Sequence, residues 1–395
     1  MTPGPIPILR QRWLWILLAI VLNLAPAARK GWLGAAKPKP EFLVPVVAKQ
    51  PPLSAAPFFR EELIDPQFTS PSAHVASLCE LPGGRLAAVW YGGAHEGARD
   101  VAVYFATHDP GEGGQWSAPR ALVTRKSAAR ETFRFVKKVG NPVLFGDTNG
   151  HLCLLYVSIG FGGWSGSSLN LKQSFDGGKS WSRSQRLGLS PFFNLSELVK
   201  NGPVRMADGG WAVPIYQELL GKFPELLWLR TAPDHSTTVK SRPFGGRTAF
   251  QPALVAIDGK QAVLLCRAAG AIRDLYIART QDAGLHWTAP ESTGLPNSDS
   301  GLDAIRLKDG RILLAFNDTS KDRHNLRLAV SSDEARTWHR AAILADEPGA
   351  EFAYPFLLQS DDGLVHVAYT WKRRGIKHVA FNLAWLDAPA QETTQ

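Results

Sequence analysis

SFDGGKSW, residues 174–181, recurs as TQDAGLHW at 280–287 and, in worn form, as SSDEARTW at 331–338. The shared template is S/T-x-D-x-G-x-x-W, with Ala335 standing at the glycine place of the third copy. A fourth stretch, THDPGEGGQW at 107–116, carries the same pattern with a two-residue insertion. Each part has a physical job. The carboxylate accepts backbone amides inside a turn, the glycine takes a positive φ without steric cost, and the tryptophan buries a large ring. The spacing therefore predicts punctuation between strands, and neither Asp176 nor Asp282 is expected to do chemistry.

Around these boxes lies a longer repeat. Six segments read as apolar strand, glycine turn, apolar strand, with turn glycines at Gly84, Gly150, Gly209, Gly259, Gly310 and Gly363. Glycine-containing turns between β-rich runs are hairpin signals, and residues 58–395 show almost no helical period. Six four-stranded sheets, each unable to bury both faces alone, fit an all-β, six-bladed β-propeller. Each box falls where the third and fourth strands of a blade would join.

The ends of the chain read differently. Arg10 and Arg12 precede the apolar run Trp13–Leu24 and the small residues around Ala25–Ala28. This pattern predicts that residues 1–30 form an export signal or, through residues 13–25, a membrane tether. The chain would then be periplasmic, anchored facing the periplasm, or secreted. Residues 31–57 are proline-rich and read as an extended linker, leaving 58–395 for the propeller. Net charge is +9. Residues 1–57 hold seven lysines and arginines against Glu41 alone, and no concentrated basic stripe stands out beyond them, so nucleic acid is not an expected partner. Cys79, Cys153 and Cys266 lie in apolar runs and read as buried free thiols. The histidines show no metal-ligand spacing, and no nucleotide loop is evident, so no metal or cofactor is expected. A monomer is expected.

Propeller geometry predicts where ligands would be met. If the first strand of each blade runs from the mouth to its glycine turn, its start and the end of the second strand face the mouth. The starts are His74, Asn141, Asn201, Gln251, Asp303 and Tyr354. All are polar, and Pro142, Pro203, Pro252 and Pro355 closely follow four of them. The second-strand ends add Glu96, Arg99 and Asp100, then Gln217 and Glu218, Arg267, Asn317 and Asp318, and finally Trp371, Lys372, Arg373 and Arg374. Such a mixture of carboxylates, cations and amides suits an anionic or hydroxyl-rich ligand.

The boxes and turns, with VWYGGAHEGARDVAVYFA (89–106), VGNPVLF (139–145), GWSGSSL (163–169), SGLDAIRLKDGRILLAFNDT (300–319) and EFAYPFLLQSDDGLVHVAYTW (351–371), resemble the sialidase superfamily and its bacterial BNR-repeat proteins. The resemblance covers roughly residues 60–385. It implies a tyrosine nucleophile assisted by a carboxylate, an acid/base on an early loop, and three arginines gripping a substrate carboxylate. Tyr354 matches the tyrosine, with Asp303 or Glu218 as its helper. Glu96 or Asp100 matches the acid/base, and Arg267 one arginine. His74, Arg99, Asn141, Asn201, Gln251, Asn317, Trp371 and Arg373 would position a sugar. The family's first-blade Arg-Ile-Pro motif is replaced by SAHVASL (72–78), with His74. The expectation is a sialidase-like glycoside hydrolase; a uronate lyase and a noncatalytic glycan-binding propeller remain the alternatives.

Overall fold

A computed structural model describes residues 13–21, 40–44, 56–110, 114–147, 149–189, 194–231, 236–243, 245 and 247–388. Most of the segment expected to direct export, residues 1–30, and most of the proline-rich stretch 31–57 lie outside the described residues. Residues 13–21 are helical, and no helix among the described residues is long and apolar enough to cross a membrane.

Six antiparallel sheets follow one another along the chain. Their innermost strands are Ser72–Leu81, Lys138–Gly146, the split pair Leu198–Val199 and Val204–Arg205, Ala249–Ala256, Asp303–Arg306 and Phe352–Gln359. Apolar side chains fill the spaces between neighbouring blades. Val143, Leu155 and Leu171 of the second blade, for example, pack in one cluster with Val213, Ile215 and Leu227 of the third. The sixth blade is completed by the first strand of the chain. Phe59–Leu63 pairs antiparallel with Gly375–Phe381, Phe59 opposite Phe381. Asn382 clasps this closure. Its Oδ1 accepts from the Phe58 and Trp385 amides at 3.0 and 2.9 Å, and its Nδ2 donates to the Ala56 carbonyl at 2.8 Å.

The boxes occupy the predicted junctions and share one hydrogen-bond pattern. Asp176, Asp282 and Asp333 accept the amides of Ser180, His286 and Thr337 at 2.8–2.9 Å. The hydroxyls of Ser174, Thr280 and Ser331 accept the amides of Gly178, Gly284 and Ala335 at 2.8–2.9 Å. Gly284 has φ +89°, and a Cβ there would lie 2.4 Å from Leu226 Cδ2 on the preceding blade. The glycine thus serves both the turn and the close approach of blades. Trp181 packs edge-on to Phe105 of the first blade, ring centroids 6.0 Å apart. The Gly177 amide donates to the Gly150 carbonyl at 3.2 Å, which puts the box on the same face as the hairpin turns.

The linker expectation needs one correction. Residues 40–44 do not float. Phe42 is buried and forms a bridge with Met206, and its amide donates to the Gly259 carbonyl at 2.9 Å. An apolar ring in a proline-rich stretch finds a cleft between the third and fourth blades. Cys79, Cys153 and Cys266 are free and buried, and burial pushes the thiols of Cys79 and Cys153 up to about 12.

Candidate functional site

Four inner strands share a kink at the mouth. The ladder register shifts between His74 and Ser77, Gly140 and Val143, Phe250 and Ala253, and Ala353 and Phe356. Within these bulges Val75, Asn141, Gln251 and Tyr354 hold φ of +49°, +42°, +49° and +53°. The proline after three of them needs no ladder donor, which is where a strand tolerates it. A bulge turns its side chain out of the alternation and aims it at the axis. His74 precedes its bulge and is one position out of step with Asn141, Gln251 and Tyr354. Gly301 makes room for Tyr354, since a Cβ there would lie 2.7 Å from the tyrosine ring.

Tyr354 stands at the centre of a cationic cluster. Its hydroxyl accepts from Arg267 Nη1 at 2.9 Å, and the same nitrogen donates to Gln251 Oε1 at 2.8 Å. Arg267 Nε donates to Asp299 Oδ1 at 2.8 Å. Burial opposes the charge on Arg267, but Tyr354 and Asp299 more than restore it. The Arg323 guanidinium lies 5.3 Å from the centre of the Tyr354 ring. Arg323 donates to Glu351 Oε1 at 3.0 Å and to the Asp299 carbonyl at 2.9 Å. Glu351 also receives Arg373 Nε at 2.6 Å, and Arg373 Nη1 reaches Glu96 at 2.8 Å. Two guanidinium groups, from the fourth and fifth blades, thus meet one phenol, and shared carboxylates link them to a third from the sixth.

His74 closes the cluster from the first blade. It is 2% exposed and packs edge-on to Tyr354 and Tyr91, ring centroids 4.6 and 5.7 Å away. Among the described residues neither ring nitrogen has a hydrogen-bond partner. Burial, reinforced by Arg373, Arg323 and Arg267, holds its pKa well below the usual imidazole range, so it is neutral at pH 7. Tyr216 lies deeper and accepts from Asn141 Nδ2 and Gln251 Nε2, both at 3.2 Å. Burial raises the carboxyl of Glu218 despite the nearby Lys222 and Arg267.

Other expected site residues are used differently. Asp303 does not serve Tyr354. It is buried, accepts the amides of Leu357 and Ala304 at 2.8 and 3.0 Å, and lies near Lys200. Burial pushes this carboxyl up. Asn201 donates to the carbonyls of Gln251 and Pro252 at 3.4 and 2.9 Å, and Asn317 donates to those of Asn325 and Phe352. Asn201 thus satisfies carbonyls within the fourth blade's bulge, and Asn317 satisfies carbonyls at the starts of two strands. Lys200 Nζ bonds Asn201 Oδ1, the Leu302 carbonyl and the Pro355 carbonyl at 2.6, 2.8 and 2.5 Å. Lys200, Asn201 and Asp303 form a floor. Beyond it, on the hairpin-turn face, opens a cavity of about 770 Å³ bordered by Glu80, Asp147, Arg205 and Lys308. Asp100 accepts the Ala94 amide at 2.9 Å and shapes its loop. Arg99 is exposed, and Trp371 carries Lys372 over its ring at 5.1 Å.

Sequence reasoning missed Arg323, Glu351 and Asp299. Arg323 lies in the loop after Asn317 and Asp318, five residues past the positions taken as the strand's end. No group of three or more histidine, cysteine or acidic side chains among the described residues is arranged to hold a metal ion.

Comparison with known proteins places this geometry. The model of the BNR repeat-like domain matches residues 84–367, well over half of the chain. No curated protein matches the sequence significantly. Among solved structures, a protein of unknown function from Dyadobacter fermentans superposes with a TM-score of 0.64 at 16% identity, over 82% of this chain and 99% of that one. The Hadza microbial sialidase Hz136 gives 0.66 at 16% identity, over 81% and 68%. The intramolecular trans-sialidase from Ruminococcus gnavus, in complex with oseltamivir carboxylate, gives 0.63 at 15% identity, over 83% and 98%. The repeated boxes, the six blades and the matching family model together identify this chain as a member of the BNR repeat-like family, built on the sialidase-type propeller.

Proposed function

We propose that the chain is an exported glycosidase of sialidase type that acts on a glycan bearing a carboxylate. One observation carries the reading: Arg267 and Arg323 meet at Tyr354, and Glu351 ties Arg373 to Arg323 beside them. Each guanidinium has five donors, and the bracing carboxylates leave several for a ligand. A planar carboxylate is the group such forks recognise best. Tyr354 is then the nucleophile. A neutral phenol is a weak nucleophile, and Arg267 Nη1 donates to the Tyr354 oxygen. Glu96, drawn in by Arg373, serves as acid/base on the first-blade loop. Gln251 and neutral His74 position the sugar.

One feature favours a second reading. Among the described residues no carboxylate hydrogen-bonds to Tyr354, whereas a neutral imidazole lies against its ring. A tyrosine base abstracting a proton beside an arginine-held carboxylate is the arrangement of a uronate lyase. A panel of chromogenic glycosides including a sialoside, set beside uronate-containing oligosaccharides, separates the two. Hydrolysis of a sialoside that falls at least about a hundredfold in Tyr354→Phe supports the first reading. Unsaturated ultraviolet-absorbing products support the second. Hydrolysis by Tyr354→Phe at the wild-type rate would remove Tyr354 from the mechanism.

A further inference from the structure

Blade two carries a surface that the site does not use. Residues 125–138, RKSAARETFRFVKK, hold six lysines and arginines against one acid, Glu131. That acid is occupied, accepting from Lys172 Nζ at 2.6 Å and from the Ser184 amide and hydroxyl at 2.8 and 2.6 Å. The sequence reading found no basic stripe here because acidic residues elsewhere dilute the propeller's charge. The fold undoes the dilution. Helix Arg125–Thr132 and the turn after it set Arg130, Arg134 and Lys137 on the surface. Three phenylalanines stand exposed among them: Phe133 at 84%, Phe135 at 63% and, from the neighbouring loop, Phe161 at 80%. Soluble surfaces rarely group such rings without a use. The rings of Phe135 and Phe161 lie 5.8 Å apart.

This patch is continuous with the mouth. The segment joins the last strand of blade one to the inner strand of blade two, so it lies on the face that carries Tyr354. Lys138 sits over the Trp164 ring at 4.5 Å and feels the charge of Glu96. The edge of Trp164 comes within 3.0 Å of where a Cβ on Gly140 would be, beside Tyr91.

Resting on the glycan reading above, we infer that the substrate is an extended polyanionic glycan, whose chain leaves the Tyr354 site across Trp164 and lies along the Phe133–Lys137 surface of blade two. The cations meet successive acidic groups, and the rings of Phe135 and Phe161 meet apolar sugar faces. Charge complementarity and continuity with the mouth favour this occupant over a lipid surface.

The test measures binding in the Tyr354→Phe background, so turnover does not enter. The probes are the monomers and hexamers of α2,8-linked sialic acid and of galacturonic acid, and vesicles of equal parts phosphatidylserine and phosphatidylcholine. The hexamer of at least one acid should bind more tightly than its monomer. The triple variant Arg130→Ser, Arg134→Ser, Lys137→Ser should lose about tenfold for that hexamer at low salt and nothing for the monomer. The difference should vanish near 1 M salt, where screening acts within ~3 Å. Phe135→Ala with Phe161→Ala should cost several-fold for the hexamer alone. Unchanged melting temperatures exclude misfolding. Affinity independent of chain length, equal losses for monomer and hexamer, or variants that lose vesicle binding while keeping hexamer binding would each overturn the inference. If length-dependent binding persists while no glycoside is turned over, the catalytic reading falls and this one stands.

Discussion

Replacing His366 with glutamine is expected to make the protein less sensitive to acid. His366 is 6% exposed. Its Nδ1 lies 3.0 Å from His378 Nε2 and its Nε2 lies 2.9 Å from Ser360 Oγ. The two imidazoles stack with planes 10° apart, and His378 Nδ1 faces Glu62 on the closing strand at 3.2 Å. Burial, and then the neighbouring His378, pushes the pKa of His366 down to about 3. An unfolded histidine titrates near 6.5. Between those values the unfolded chain binds a proton that the folded chain refuses. Stability is therefore present in full above about pH 6.5 and falls as pH drops toward about 3. At about pH 5 the gap of about 1.5 pH units, at about 1.36 kcal/mol each, amounts to about 2 kcal/mol. Other groups act in the opposite sense. Burial raises Glu197 to about 7, so its proton is held more firmly when folded. The slope of the wild type alone is therefore a mixture, and the difference between wild type and variant isolates His366. Urea unfolding at about pH 7.5 and about pH 5 measures it. The variant's stability should drop about 2 kcal/mol less than the wild type's over that interval. Equal drops in the two proteins would refute the claim that this imidazole is buried uncharged.

Two further outcomes concern the framework. Gly284→Ala forces a side chain into φ +89° and a methyl to 2.4 Å from Leu226 Cδ2. Backbone strain of about 1–2 kcal/mol and overpacking of about 1–3 kcal/mol should lower stability by about 2–5 kcal/mol in denaturant titration. Lys200→Met should cost about 3–5 kcal/mol by the same assay, because three acceptors and Asp303 lose their buried cation, and adding Asp303→Leu should recover part of that loss; a cost below about 1 kcal/mol would show the floor to be dispensable.

The fold was legible because its signals are local. A box needs only its own eight residues to make its turn, and a hairpin only its glycine and two apolar runs. The six-fold count followed from their repetition. The mouth was legible in part. Asn141-Pro142, Gln251-Pro252 and Tyr354-Pro355 mark bulges, so their positions at the axis could be read from the dipeptide. Ala76 replaces the proline in the first blade, and His74 was accordingly placed one residue out of step. Asn201, Asp303 and Asn317 are equally polar and equally buried, yet they serve backbone carbonyls or amides. A sequence does not say whether an inward amide has a ligand or a main-chain group to satisfy. Arg323 was hidden for another reason: its relation to Tyr354 is made by two blades meeting in space, and nothing within its loop announces it.

The pairing of Phe59–Leu63 with Gly375–Phe381 has a consequence for synthesis. The first strand of the propeller waits for the last. Until residue 381 is made, Glu62 has no His378 and the sixth sheet lacks its outer edge, so the ring stays open until that point. Contacts this distant in sequence are slow to find, since loop closure must be met before they stabilise anything.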